Sequence, residues 1–172
     1  MSMQKLVSVV TKTLSFVLIV LMAVIVLDVT WQVVTRFILK NPSSFTEELA
    51  GFLLIWIGLL GASYALYTRA HLGIDILTTK LKGDRKRFVE IIIYAIVFLF
   101  ALVVLVIGGI RLVNLVFTLN QVSPAMGIPM GYVYLVLPLT GVLMMFYSAA
   151  FIYFLLKKVP LGEEKPLVTA LD

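Results

Sequence analysis

Residues 88–113 read FVEIIIYAIVFLFALVVLVIGGIRLV, and the residues just before them, 68–87, read TRAHLGIDILTTKLKGDRKR. The first stretch is long and apolar enough to cross a bilayer as a helix, which takes about 20 residues at 1.5 Å each. The second is charged and stays out of the hydrocarbon. Such alternation of long uncharged blocks with short charged ones runs through the whole chain, and it is the pattern of membrane spans and their loops. Working backward, a second span is predicted over 47–67 and a first over 13–36, which is apolar without a break from Leu14 to Leu27. Working forward, 114–128 form an uncharged loop, and a fourth span is predicted over 129–156, starting at Pro129 and kinked by Pro138. The expected architecture is an all-α integral membrane protein with four transmembrane helices, a domain of residues 1–158, and a mobile tail of residues 159–172.

Composition agrees. Of the 172 residues 62% are hydrophobic and 13% charged, with a mean hydropathy of +1.10, whereas soluble domains are about half apolar and a quarter charged. The net charge of +5 comes from cations at the ends of apolar runs, so it reads as topology rather than as a nucleic-acid surface. Lys5, Lys12, Arg69, Lys80, Lys82, Arg85, Lys86, Arg87, Lys157, Lys158 and Lys165 fall on one side of the four spans; Arg36, Lys40 and Arg111 fall on the other. The excess of positive charge predicts both termini and the middle connector in the cytoplasm. Leu72, Ile76, Leu77 and Leu81 fall near one helical face of that connector. Part of it is therefore expected to lie in the interface as an amphipathic helix between spans two and three. Lys5 and Lys12 ahead of an apolar run superficially resemble a signal peptide, but the run continues into Asp28, Gln32 and Arg36, so cleavage is not expected.

Cysteine is absent and histidine occurs once, which excludes disulfides, Cys-ligated zinc and thiol chemistry and leaves no multi-His metal site. Nothing arranges a serine, His71 and an acid for nucleophilic catalysis, and no glycine loop precedes Lys-Ser/Thr, so neither an enzyme nor an ATP-driven pump is expected. The polar residues near or within the spans carry what information there is. Asp28 lies roughly 22 Å into span one, where an ionisable group is costly. It is expected to pair within the protein, for example with Gln32 one turn away, to lie close enough to the outer interface to be hydrated, or to contact another subunit; proton or ion handling is the alternative. Ser44-Phe45-Thr46-Glu47 reads as a capping box opening span two, with Ser44 accepting from the Glu47 amide and Glu47 reaching back. Arg36, Glu47, Glu48 and Arg111 are expected at the outer rim, either merely solvated or facing a partner, with Glu48 and Arg36 freer than the capping Glu47. Gly58-x3-Ala62 and Gly61-x3-Ala65 are small-x3-small pairs that admit a close helix neighbour, in this chain or another. His71, beside Arg69, reads as a capping or interfacial donor, and Trp56 as a packing or lipid-facing aromatic. No internal inverted repeat is visible.

Three stretches together resemble the small membrane subunit of the tripartite ATP-independent periplasmic (TRAP) transporters. They are TRF at 35–37 followed by FTEELAGFLLIWIGLLGASYAL at 45–66; RAHLGIDIL at 69–77; and SPAMGIPMGYVYLVLPLTGVLM at 123–144. In the second, Arg69, His71 and Asp75 match the family's connector with one residue fewer before the histidine. In the third, Gly131 stands where an aromatic is expected after Pro129-Met130. The resemblance implies a non-catalytic subunit in the bacterial inner membrane, beside a large membrane subunit that holds the transport and sodium sites, so no cofactor is expected in this chain. It also implies a periplasmic substrate-binding protein as partner, and organic acids such as C4-dicarboxylates or sialic acid as substrates. By that analogy the chain braces the large subunit and helps the binding protein dock. Two alternatives stand beside it. One is a self-contained four-helix proton-coupled exporter, a class that relies on a glutamate in its first span where this chain has only the displaced Asp28. The other is a structural membrane partner unrelated to transport.

Overall fold

The structure, a computed structural model, describes residues 3–41, 43–68 and 84–157. Four helices are long and apolar enough to cross a membrane. The first is α1 (Met3–Phe37) and the second α2 (Ser44–Tyr67). The third runs from α3 (Asp84–Phe100) through a π-helical stretch, Ala101–Gly108, into α4 (Gly109–Thr118). The fourth is a short α5 (Met130–Tyr134) followed by α6 (Val136–Leu156). The connector with Arg69, His71 and Asp75, the amphipathic helix expected there, and the tail over 159–172 lie outside the described residues.

Helix α1 begins ten residues before the predicted start, and a packing seam explains why. Residues 7, 11, 14, 18, 21, 25, 28, 32 and 35, all buried or half-buried, form a stripe spaced alternately by four and three. That 3.5-residue period keeps one stripe against a neighbouring helix, and the neighbour along most of the length is α2. The seam starts at Val7, so the first turns stay helical despite Lys5 and Lys12. Near this end the Thr11 and Tyr147 hydroxyls lie 3.2 Å apart and join α1 to α6.

The ends of the bundle are tied by different chemistry. At the end that holds Met3 and Leu156, here the terminal end, Tyr67 of α2, Tyr94 of α3 and Tyr147 and Phe151 of α6 stack with centroids 4.9–6.3 Å apart. Arg87 Nη2 donates to the Leu156 carbonyl at 2.7 Å, placing a cation on the last turn of α6. Helix α6 is the centre of the molecule and touches every other span. It comes close to the π-helical stretch because Gly141 has no Cβ: one built there would lie 2.7 Å from Val106 Cγ2. The fourth span is interrupted at Leu135, one turn before Pro138. Proline has no N–H for the Tyr134 carbonyl, and its ring crowds that turn. Trp56 Nε1 donates to the nearby Val133 carbonyl at 3.1 Å. Trp56 is therefore a hydrogen-bonding prop for the break as well as a packing aromatic.

The start of α2 differs from the capping box read in the sequence. The cap is Ser43, one residue earlier, with extended backbone (φ −87°, ψ 108°); its hydroxyl accepts from the Thr46 amide at 3.5 Å. Thr46 Oγ1 donates back to the Ser43 carbonyl at 3.0 Å. Glu47 is left exposed and makes no side-chain bond among the described residues.

Candidate functional site: the latched loop at the distal end

The end opposite the termini is built from the turn after α1 and the loop between the third and fourth spans. That loop, 119–129, folds on itself: Ser123 N donates to Ile128 O at 2.9 Å, Met130 N to Gln121 O at 2.9 Å, and Gly127 N to Ser123 O at 2.9 Å. An isolated bridge pairs Val122 with Pro129. Two residues carry the reversals in left-handed backbone, Asn120 (φ 48°) and Gly127 (φ 67°), residue types that tolerate it.

Glu48 locks this loop to α2. One carboxylate oxygen, Oε2, accepts from the Ser123 hydroxyl, from the Ala125 amide at 3.0 Å and from the Met126 amide at 2.9 Å. A loop that turns three donors inward makes a concave anion site, and here the anion is supplied by the protein's own second span. The expectation that Glu48 is the freer of the two glutamates is therefore corrected. Ser43 does the capping, so the box does not engage Glu47, while Glu48, one residue on, points at the loop. Sequence reasoning quoted both halves of this contact, at 45–66 and 123–144, without a signal joining residues 75 positions apart.

The other rim residues are not brought together. Arg36, Glu47 and Arg111 are exposed, and no ion pair joins any of them among the described residues. The third span continues to Thr118, so Arg111 lies about 10 Å short of its end. That is deeper than the rim position expected for it, because the apolar face of α4 runs on through Val113 and Val116. Asp28 is 8% exposed, and its Oδ2 has no hydrogen-bond partner among the described residues. It does not bond Gln32; both stand on the α1 seam facing α2.

Of the small residues of α2, Gly51 and Gly58 are exposed, and Gly61, Ala62 and Ala65 are half-buried. Gly51, Ile55, Gly58, Ala62 and Ala65 recur at spacings of four and three, opposite the side that carries Trp56, Leu60 and Ser63. A Cβ built at Gly51, Gly58 or Gly61 meets nothing within 4 Å. Inside the chain the close approach falls to Ser63 instead, whose hydroxyl donates to the Thr140 carbonyl at 3.4 Å. The departure at Gly131 also has a physical reason. A Cβ there would lie 2.5 Å from the ring of Phe117, which occupies that space and packs edge-on to Tyr132. Among the described residues no group of three or more His, Asp or Glu side chains could hold a metal ion.

Comparison with known proteins agrees with this architecture. The family model described as "Tripartite ATP-independent periplasmic transporters, DctQ component" matches residues 25–158. The chain is 30% identical over 139 residues to the "Sialic acid TRAP transporter small permease protein SiaQ" of Vibrio cholerae serotype O1, covering 80% of this chain and 78% of that one. It is 29% identical over 102 residues to the "C4-dicarboxylate TRAP transporter small permease protein DctQ" of Rhodobacter capsulatus, covering 59% and 44%. It is 31% identical over 120 residues to the "Sialic acid TRAP transporter permease protein SiaT" of Haemophilus influenzae, covering 67% of this chain. The matched part is 18% of that much longer protein.

Proposed function

The chain belongs to the DctQ component of the tripartite ATP-independent periplasmic transporters, and from that premise we propose that it braces a large transport subunit and helps position a periplasmic binding protein. The transporter lies in the bacterial inner membrane with both termini of this chain in the cytoplasm. It imports organic acids of the C4-dicarboxylate or sialic acid class with sodium. Substrate and sodium are handled in the large subunit, and this chain makes and breaks no covalent bond.

The observation that carries the bracing role is the open face of α2. Glycine in a helix interior costs about 1 kcal/mol relative to alanine, and a Cβ built at Gly51, Gly58 or Gly61 would meet none of the described residues within 4 Å. Packing against a second chain recovers that cost, because small residues let helix backbones approach closely in lipid. Similarity to a segment of a longer permease supports a large subunit as that second chain. Docking is supported by the distal end. The Glu48 latch holds the 119–129 loop in one shape, and exposed Arg36 and Glu47 supply charge for steering an encounter. Arg111 is exposed within a span, where an arginine needs a partner or must extend toward the interface, so it faces the large subunit.

Replacing Gly58 with Leu tests the bracing role. The chain should still insert and stay monodisperse, since nothing in it occupies that space, while recovery of the large subunit by co-purification drops several-fold. Sodium-driven uptake in liposomes holding both subunits and the binding protein should fall in parallel. Unchanged co-purification, or full uptake by the large subunit without this chain, would overturn the reading.

A further inference from the structure

Between α1, α2 and α6 lies a cavity of about 310 Å³, apart from the distal loop. Val9 and Val17 mark its extent on α1, Trp56 and Leu60 wall it on α2, and Leu139 and Leu143 on α6. Its walls are almost wholly apolar, so ordered water finds no partners there. From Val9 to Val17 it follows α1 for about 12 Å. That is the shape of a linear chain.

Charge stands beside its terminal half. Lys5 precedes Val9 by one helical turn and Lys12 follows it by about one, so both flank that lining residue on α1. Both lysines are exposed, and neither pairs with an acid among the described residues. At 35 residues α1 is about 52 Å long, well beyond the roughly 30 Å hydrocarbon core, so its first turns reach the headgroup layer. Lysines at that depth keep their stems on apolar surface and their ammonium groups among headgroups.

We propose that this cavity holds one acyl chain of an anionic phospholipid, with the headgroup against Lys5 and Lys12. The acyl chain fills a gap whose lining otherwise lacks contacts on one side, between two helices, α1 and α6, that touch little. The inference rests on the membrane location and not on the transport role, so the two fail separately.

The test is native mass spectrometry of the full-length chain released from mild detergent, with phosphatidylglycerol and phosphatidylcholine of identical acyl chains offered at equal mole fraction. One phosphatidylglycerol per chain should be retained in preference to phosphatidylcholine. Lys5→Gln and Lys12→Gln should each lower that preference about fivefold, without touching the packing. Leu143→Phe should remove both lipids by filling the cavity; should that variant not fold, the lysine variants still decide. Equal retention of the two lipids, or a preference indifferent to both lysines, would overturn the proposal. So would loss of the lipid whenever the large subunit is bound, which would give the cavity to the subunit interface.

Discussion

Glu47 and Glu48 stand side by side in the first turns of α2, where negative charge suits the positive end of a helix, yet only Glu48 reaches a tertiary partner. Its three donors come from one loop, so its removal should act locally. Glu48→Gln keeps the shape of the side chain but weakens each charge-assisted bond. The Ala125 and Met126 amides should then exchange with solvent roughly tenfold faster, read by hydrogen exchange in nanodiscs. Uptake should slow more at limiting than at saturating binding protein. Glu47→Gln should change neither. Protection of 123–126 that survives Glu48→Gln would show that the loop's own hydrogen bonds suffice. Asp28 presents a different problem, a buried carboxylate on the α1 seam without a bond to Gln32. A polar group at a seam position fixes register and partner choice at some cost in stability. Asp28→Asn should therefore alter the yield of the assembled complex while leaving the sodium-to-substrate ratio of assembled transporter unchanged. Normal assembly with an altered ratio would give Asp28 an ion-coupling role instead.

Among the elements, what the sequence reveals depends on whether a feature is local. The number and order of the spans are legible because lipid demands long uncharged blocks, and 91–110 has to be one of them. The ends are less so. Lys5 and Lys12 suggest a solvated start, but the seam through Val7, Thr11 and Leu14 carries the helix back to Met3. The π-helical turns of 101–108 leave no mark in a run of aliphatic residues; there the third span lies against Gly141 across the bundle. The Glu48 latch leaves no mark for a similar reason, since its donors are a hydroxyl and two backbone amides of a distant loop. Gly131 shows how such tertiary fits can be tested. A Cβ there would overlap Phe117, so Gly131→Ala should destabilise the chain by about 1–3 kcal/mol, the usual cost of overpacking. Phe117→Leu should recover much of that loss in the double variant while being destabilising alone. Thermal melts of the four proteins in one detergent make the cycle; strictly additive losses would mean that the two residues do not share the space.

At the scale of the whole molecule, four spans put Met3 and Leu156 at one end, and the bond from Arg87 to the Leu156 carbonyl brings the start of the third span there too. The geometry makes the termini share a side and leaves open which side it is. We propose that charge decides it, in favour of the cytoplasm. Eleven of the 14 Lys and Arg residues belong to the terminal end and its connector, while the remainder are Arg36, Lys40 and Arg111. Translocating the terminal end would carry the larger group across the membrane, which the orientation rule disfavours. The depth of Arg111 sharpens the contrast: it lies about 10 Å from the end of its helix and not in a loop, so Arg36 and Lys40 alone mark that side. Alkaline phosphatase fused after Lys40 or within 119–129 should be active, and a cytoplasmic fluorescent reporter after Lys158 should shine. Adding a run of lysines at 119–121 should reduce insertion or invert part of the population, because it erases the asymmetry on which the orientation rests. An inactive phosphatase within 119–129, with an active one at the C-terminus, would turn the molecule over. The latched loop would then face the cytoplasm, and a periplasmic binding protein could not be its partner.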